Sequence, residues 1–170
     1  ITLLEMERNL GFSGGCNAGI AHALDNGFEY VWLINNDARS KADSLCELIH
    51  AAKKLPDAGV LGGALLEQKK DGIERTGMGY IDYWRAKTFT REASSMDVKA
   101  CDWVCGGNML LRAAALAHCG AFDDAYFLYK EDVELCVRLT RSGYECVYVP
   151  GAEVFHEGSG STSGQRSIWR

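Results

Sequence analysis

An uninterrupted apolar run, Tyr30-Val31-Trp32-Leu33-Ile34, is the feature that most constrains how this chain folds. Polar and apolar residues do not alternate in it, which is typical of a strand buried on both faces of a parallel sheet. The run ends in the polar triplet Asn35-Asn36-Asp37. Further strand patterns begin at Val60-Leu61 and cover 145–150, and helical patterns separate them. The sequence therefore predicts an α/β fold with a mainly parallel sheet flanked by helices.

Two helices are predicted in the first third of the chain. The segment from Asn17 has the apolar spacing of a helix, and the glycine-rich stretch 9–16 before it is predicted to be a loop. Ser40 and Asp43 form a capping-box pattern ahead of a second helix, whose apolar residues recur with helical spacing over 45–52.

The remaining elements are predicted from shorter signals. Residues 1–8 form an apolar piece that is interpreted as a strand, and an alanine-rich helix ends at Cys119-Gly120. Acidic residues open a helix over 131–139 and basic residues close it, which is the polarity that the helix dipole favours. Residues 67–100 are polar and interrupted by glycine, so we expect hairpins or an irregular insertion there.

The composition excludes several classes of protein. The 170 residues are 47% hydrophobic and 24% charged, as in one ordinary globular domain. The formal charge of -5 provides no basic surface for nucleic acid. No apolar run approaches the roughly 18 residues that span a bilayer. The seven cysteines, an odd number scattered through apolar segments, are typical of reduced thiols, so we expect a cytoplasmic protein.

Polar residues fall where an open α/β sheet binds its ligands, at the carboxyl ends of strands. They are Asn36-Asp37, Glu131-Asp132 at the start of a helix, and His156 after the last strand. Asp37 and His156, completed by a substrate diphosphate, suit Mg²⁺ or Mn²⁺, which leaves Asp132 for proton transfer. Each feature alone also fits an ordinary turn, a helix start or an exposed loop histidine.

The glycine-rich stretch 11–15 allows a nucleotide to approach the backbone and use the free amides of the following helix. It matches neither the phosphate-binding P-loop nor the dinucleotide fingerprint, so a tight turn is the alternative.

Five motifs follow one another along the chain. They are NLGFSGGCNAGI at 9–20, VWLINNDA at 31–38, GGNMLLR at 106–112, GAFD at 120–123 and YFLYKEDVELCVRL at 126–139. Together they resemble glycosyltransferase family 2, in the branch of rhamnosyltransferase-like and galactofuranosyltransferase-like enzymes. The resemblance runs in the family's order to about residue 162 and leaves 67–100 poorly matched.

The resemblance implies a GT-A (Rossmann-like) fold and an inverting, metal-dependent glycosyltransferase. The implied donor is a dTDP- or UDP-sugar, and the acceptor is a hydroxyl of a glycan or lipid-linked molecule in cell-surface polysaccharide synthesis. The family's metal ligands correspond to Asp37 and His156, and its catalytic base corresponds to Asp132, with Glu131 as a neighbouring helix-start or acceptor-binding carboxylate. The implied donor-binding positions are Asn9, Gly11, Gly15, Asn17, Asn35, Asn36, Gly106 and Gly107. Asn35 stands where the family usually has an acid.

The family normally begins with strands that bind the nucleobase, and Ile1 falls after them. We therefore expect 1–170 to be a single partial catalytic domain, whose full-length form associates with the inner face of the membrane. The serine- and glycine-rich run 158–164 is interpreted as a loop over the donor. Two other readings compete: a non-catalytic nucleotide-sugar or glycan binding module, and a metal-dependent phosphohydrolase.

Overall fold

The computed structural model describes residues 1–91 and 96–156, so the predicted loop at 158–164 lies outside the described residues. The helices are α1 (Gly11–Asp25), α2 (Ser44–Lys54), α3 (Ala113–Cys119) and α4 (Glu131–Arg141). The strands are β1 (Tyr30–Ile34), β2 (Ala38–Ser40), β3 (Ala58–Lys69), β4 (Gly72–Thr76), β5 (Met78–Asp82), β6 (Lys87–Arg91), β7 (Lys99–Ala100), β8 (Trp103–Val104), β9 (Asn108–Arg112) and β10 (Glu145–His156).

A seven-stranded sheet forms the centre of the molecule, in the order β1-β9-β3-β10-β2, with β4 added to β3 and β7 added to β10. The predicted α/β architecture is confirmed, but the pairing differs from the mainly parallel sheet that we expected. Only β3 and β10 pair in parallel among the described strands. Because β9 runs antiparallel between β1 and β3, the strands β1, β3 and β10 still point the same way. Their carboxyl ends therefore meet at one edge of the sheet.

Helices cover both faces of this sheet. On one face, Leu48 and Ala52 of α2 pack against Leu61 and Leu110. On the other face, α1, α3 and α4 contribute apolar side chains that pack against Val60 and Leu111. The side chains of neighbouring strand residues thus pack on opposite faces of the sheet, as the two-residue period of a strand requires.

The part of the insertion at 67–91 forms hairpins, which is one of the two forms that we expected for 67–100. β3 continues to Lys69 and pairs with β4, and β5 pairs with β6. A second sheet has the order β6-β5-β8. We call the edge where the carboxyl ends of β1, β3 and β10 meet the polar edge of the main sheet. The small sheet leads directly to it, because only residues 105–107 separate β8 from β9.

The start of the chain differs from the prediction. Residues 1–8 contain no strand, and the predicted glycine-rich loop is the first half of α1, which begins at Gly11. Phe12 and Cys16 pack on the same core cluster as Ile20 and Leu24. These four residues form an apolar stripe, with one residue every four positions, that extends through the glycine-rich part of the helix. Burial of this stripe outweighs the weak helix propensity of glycine.

Two other details also differ. Ser40 is the last residue of β2 and does not cap α2, whose N-cap is Asp43, although the helix itself is confirmed. β1 is half-buried at one edge of the described sheet, whereas we expected both of its faces to be buried. Among the described residues no helix has the length and apolarity to cross a membrane.

Candidate active site

The polar edge of the main sheet brings Asp37, Asn35 and His156 together. His156 is the final residue of β10, rather than part of a loop after it, and its Nε2 lies 3.1 Å from Oδ1 of Asp37. Nδ2 of Asn35 lies 3.4 Å from the same Nε2. One carboxylate oxygen and one imidazole nitrogen thus converge, and both are ordinary ligands of a divalent cation.

Glu67, near the end of β3, completes this group and was missed in the sequence. Its Oε1 lies 3.3 Å from Nδ1 of His156, and its other oxygen pairs with Lys69. The hydrogen bond from Lys69 lowers the pKa of the Glu67 carboxyl. The sequence predicted an insertion from residue 67 onward, whereas β3 continues to Lys69 and so includes Glu67.

A cavity of about 520 Å³ lies beside this edge and joins both predicted catalytic residues with three of the eight predicted donor-binding residues. Its walls include Asn35, Gly106, Gly107, Glu131 and Asp132. Apolar and aromatic side chains from Phe12, Trp103, Leu128 and Tyr129 form much of the rest.

A larger cavity of about 670 Å³ lies along α2, next to Cys46 and His50, and contains none of the predicted site residues. We assign the site to the smaller cavity, because polar groups and carboxyls with shifted pKa values converge there.

Asp132 is held firmly at the start of α4. Its Oδ2 accepts the backbone N–H of Gly106 at 3.3 Å, and its Oδ1 accepts that of Val133 at 2.8 Å. Burial raises the pKa of this carboxyl above its ordinary value, although these two hydrogen bonds act in the opposite direction. A carboxylate that is less well solvated than usual is a stronger base, as general-base catalysis requires.

Glu131 is also buried, with 6% of its surface exposed, and its Oε2 has no hydrogen-bond partner among the described residues. Burial, followed by the charge of Asp132, raises the pKa of Glu131. The two preceding residues, Tyr129 and Lys130, both have left-handed backbones with φ of 72° and 74°. Such strain in non-glycine residues is typical of functional segments.

The nearby thiols are kept neutral. Burial, followed by the charge of Asp132, raises the pKa of Cys105 to about 12, and burial raises that of Cys16 to about 11. Because the thiolate is the nucleophilic form of cysteine, neither residue is suited to covalent catalysis at neutral pH.

The other predicted donor-binding residues lie outside the walls of the cavity. Asn17 uses its side chain to join α1 to the following turn: its Nδ2 donates to the Phe122 carbonyl at 2.9 Å, and its Oδ1 accepts the Phe122 N–H at 3.0 Å. Oδ1 of Asn9 accepts the N–H of Gly11 at 2.9 Å. Gly15 and Asn36 are exposed.

Gly11 needs to be glycine for a structural reason. Its φ is +72°, and a Cβ there would lie 2.3 Å from the carbonyl oxygen of Phe127. The start of α1 therefore packs directly against the segment that leads to Glu131 and Asp132.

The fold and the arrangement of this site agree with the glycosyltransferase family that the motifs resemble. The family described as "Glycosyl transferase family group 2" matches residues 30–169, and the chain belongs to it. A crystal structure of GalNAc-T7 with UDP, GalNAc and Mn2+ superposes with a TM-score of 0.72 over 91% of this chain and 32% of that one. At 13% identity that likeness concerns the fold alone, and it confirms the predicted GT-A fold.

The curated relatives agree with the predicted branch. The N-acetylglucosaminyl-diphospho-decaprenol L-rhamnosyltransferase of Mycobacterium tuberculosis is 32% identical over 95% of this chain and 60% of its own length. The galactofuranosyltransferase GlfT1 of the same species is 31% identical over 84% of this chain and 47% of its own length. The chain thus spans about half to three fifths of the length of these two relatives.

Proposed function

We propose that this protein transfers a sugar from a nucleotide-diphosphate donor to a hydroxyl group, with inversion at the anomeric carbon. The observation that carries the proposal is the half-buried carboxyl of Asp132, which lines the same cavity as Asn35 and Gly107. Asp37 and His156 lie at the adjoining sheet edge. Such a transfer needs a base for the acceptor proton, a cavity for the donor and side chains that bind a cation.

Asp132 is the proposed base. It accepts the proton of the acceptor hydroxyl while that oxygen attacks the sugar carbon from the face opposite the diphosphate. Its two backbone hydrogen bonds hold the carboxylate in one orientation before the substrate arrives. Glu131 is less suited to this role, since it is almost completely buried.

Asp37 and His156 are the proposed ligands of Mg²⁺ or Mn²⁺, because their donor atoms converge to 3.1 Å. No three ligand-type side chains form a full metal cage in the described part of the chain. This fits a cation that takes only one or two protein ligands and completes its shell with phosphate oxygens and water. When bound, the cation neutralises the charge that develops on the leaving diphosphate.

The acceptor is proposed to be lipid-linked, as the name of the rhamnosyltransferase relative indicates for that protein. Exposed apolar side chains at the mouth of the cavity, Leu128 and Tyr129, support this. Lys130 donates to Oγ1 of Thr88 at 2.6 Å and so connects the mouth to the β5–β6 hairpin, whose turn exposes Tyr83 and Trp84. We assign this aromatic hairpin to the acceptor side of the site.

The donor is proposed to be a dTDP- or UDP-linked sugar, because the relatives of this chain are a rhamnosyltransferase and a galactofuranosyltransferase. The protein is proposed to act in the cytoplasm at the inner face of the membrane. Seven free cysteines support a reducing compartment.

A Mn²⁺-dependent transfer assay on the complete native protein tests the proposal. We expect Asp132→Asn to lower kcat by roughly 10²- to 10⁴-fold, because the proton acceptor is lost. Asp25→Asn, at an exposed acid at the end of α1 and outside the cavity, is the matched control and keeps the activity. Asp37→Ala and chelation of the metal each abolish the response to Mn²⁺. Unchanged transfer by Asp132→Asn would show that another group is the base.

A further inference from the structure

His156 is held from both sides of its ring. Nδ1 faces Oε1 of Glu67 at 3.3 Å, while Nε2 faces Asp37 and Asn35 at 3.1 and 3.4 Å. The side chain is largely buried, with 17% of its surface exposed. The two nitrogens therefore have different surroundings, and these decide which of them carries the proton.

The two ring nitrogens face different demands. A carboxylate such as Glu67 can only accept, so its hydrogen bond needs a proton on Nδ1. Nε2 faces two groups with opposite needs: the N–H₂ of Asn35 requires an acceptor, and the carboxylate of Asp37 requires a donor. A cation bound between Asp37 and Nε2 would remove the need for a proton there, because both atoms would then act as ligands and the proton would stay on Nδ1.

The strand pairing fixes this arrangement. Glu67 and His156 are direct register partners in the parallel pair of β3 and β10, so their side chains leave the same face of the sheet. Lys69 binds the second carboxylate oxygen of Glu67 and restrains it further. Glu67 therefore reaches His156 from a rigid element on the side away from Asp37.

We propose that Glu67 is a positioning residue for His156: it accepts the Nδ1–H hydrogen bond, fixes the tautomer and ring orientation, and so directs Nε2 toward Asp37 as a ligand for a divalent cation. The inference rests on the proposed function for the identity of the ion. Its geometric part stands on the contacts of Glu67 alone. Partners of this kind typically change metal affinity by about 10- to 100-fold when they are removed.

The first test measures the tautomer by long-range ¹H–¹⁵N NMR on the full chain without metal, in the Asp37→Ala variant, which removes the carboxylate that competes for a proton on Nε2. We expect His156 of this variant to carry its proton on Nδ1, and the additional change Glu67→Ala to give a mixture of tautomers. The additional change Glu67→Gln retains an acceptor oxygen and therefore keeps the proton on Nδ1. A proton on Nε2 in the Asp37→Ala variant would overturn the proposal.

The second test measures Mn²⁺ affinity by electron paramagnetic resonance, with Mn²⁺ alone and with Mn²⁺ plus UDP. Glu67→Ala is expected to bind about 10- to 100-fold more weakly, and Glu67→Gln close to wild type. Glu74→Ala is the matched control, because Glu74 is the register partner of Glu67 on β4 and also contacts Lys69. It is expected to leave affinity unchanged.

These outcomes separate the inference from the proposed function. Equal Mn²⁺ affinity in wild type and Glu67→Ala would overturn the positioning role, whatever the transfer activity. If wild type bound no Mn²⁺, the cation site proposed above would be wrong, and the tautomer measurement would still decide whether Glu67 orients His156. A circular dichroism melt of each variant separates loss of positioning from loss of folding.

Discussion

At the scale of single residues, Asn108 shows how one side chain can serve the fold inside a motif that otherwise belongs to the site. It directly follows Gly106 and Gly107 but is completely buried. Its Nδ2 donates to the carbonyls of Ala152 at 2.9 Å and Ala64 at 3.3 Å, and its Oδ1 accepts the indole N–H of Trp32 at 3.0 Å. The amide thereby joins β1, β3 and β10 to β9.

We expect Asn108→Ala to lower the free energy of unfolding by about 2 to 4 kcal/mol, since it leaves buried polar partners unsatisfied and opens a small cavity. Urea denaturation followed by fluorescence measures the change. Asn36→Ala, at an exposed position close in sequence to the site, is the control and should unfold like wild type. An Asn108→Ala protein with wild-type stability would show that the network contributes nothing to the fold.

At the scale of elements, the β5–β6 hairpin contacts the segment that carries the proposed base through Lys130. The Lys130 ammonium donates to Thr88, while Ile81 on the neighbouring strand packs into the core. The turn beyond this contact carries Trp84, which is 99% exposed, and Tyr83. A tryptophan this exposed within the described part of the chain is typical of a binding surface.

Trp84→Ala is expected to raise the KM for a polyprenyl-linked acceptor about tenfold, which corresponds to the loss of one apolar contact of moderate size. A water-soluble acceptor with a short alkyl chain should be transferred as before. Steady-state kinetics with both acceptors distinguishes the two effects. Ile73→Ala, at an exposed apolar position on β4, is the control. Equal losses with both acceptors would assign Trp84 to the fold rather than to acceptor binding.

At the scale of the whole molecule, an ion cluster fastens the middle of β10 to the rest of the sheet. Glu153 pairs with Arg75 of β4 and with Lys41, which precedes α2. Arg75 also donates to the carbonyl of Pro150. Burial alone would raise the pKa of Glu153, but the hydrogen bonds and charges of Lys41 and Arg75 outweigh it, and the pKa lies below its ordinary value.

This depressed pKa predicts a contribution to stability that depends on pH. The contribution is fully present above the ordinary glutamate pKa of the unfolded chain, and it is lost as the pH falls through the lower pKa of the folded state. Asp132 and Glu131 have raised pKa values and contribute with the opposite sign. The effect of Glu153 must therefore be obtained as a difference between wild type and a variant.

Urea unfolding of wild type and Glu153→Gln between pH 7 and pH 3 provides that difference. We expect the variant to be less stable at pH 7, and the gap to narrow as the solution becomes acidic. Glu145→Gln, at an exposed position on the same strand, should show no such gap. A gap that stayed constant down to pH 3 would contradict the assignment of the stabilisation to the ionised carboxylate.

The predictability of the site differed from residue to residue. Asp37, Asp132 and His156 follow or begin predicted elements, and local pattern was sufficient to identify them as candidates. Glu67 carried no local signal, because its role comes from pairing with a residue 89 positions away. Asn17 lies in a motif of the family, and only the structure shows that both ends of its amide contact Phe122.

Local pattern alone identifies the α/β class, the strand at 30–34 and the polarity of α4, because strand and helix periodicity depend on neighbouring residues. It also determined which side chains stand at the strand ends. The tertiary structure alone decided that β9 inserts antiparallel between β1 and β3, that α1 begins at Gly11, and that Glu67 lies opposite His156. These features rest on contacts between distant segments, whose burial and hydrogen bonds outweigh local propensity.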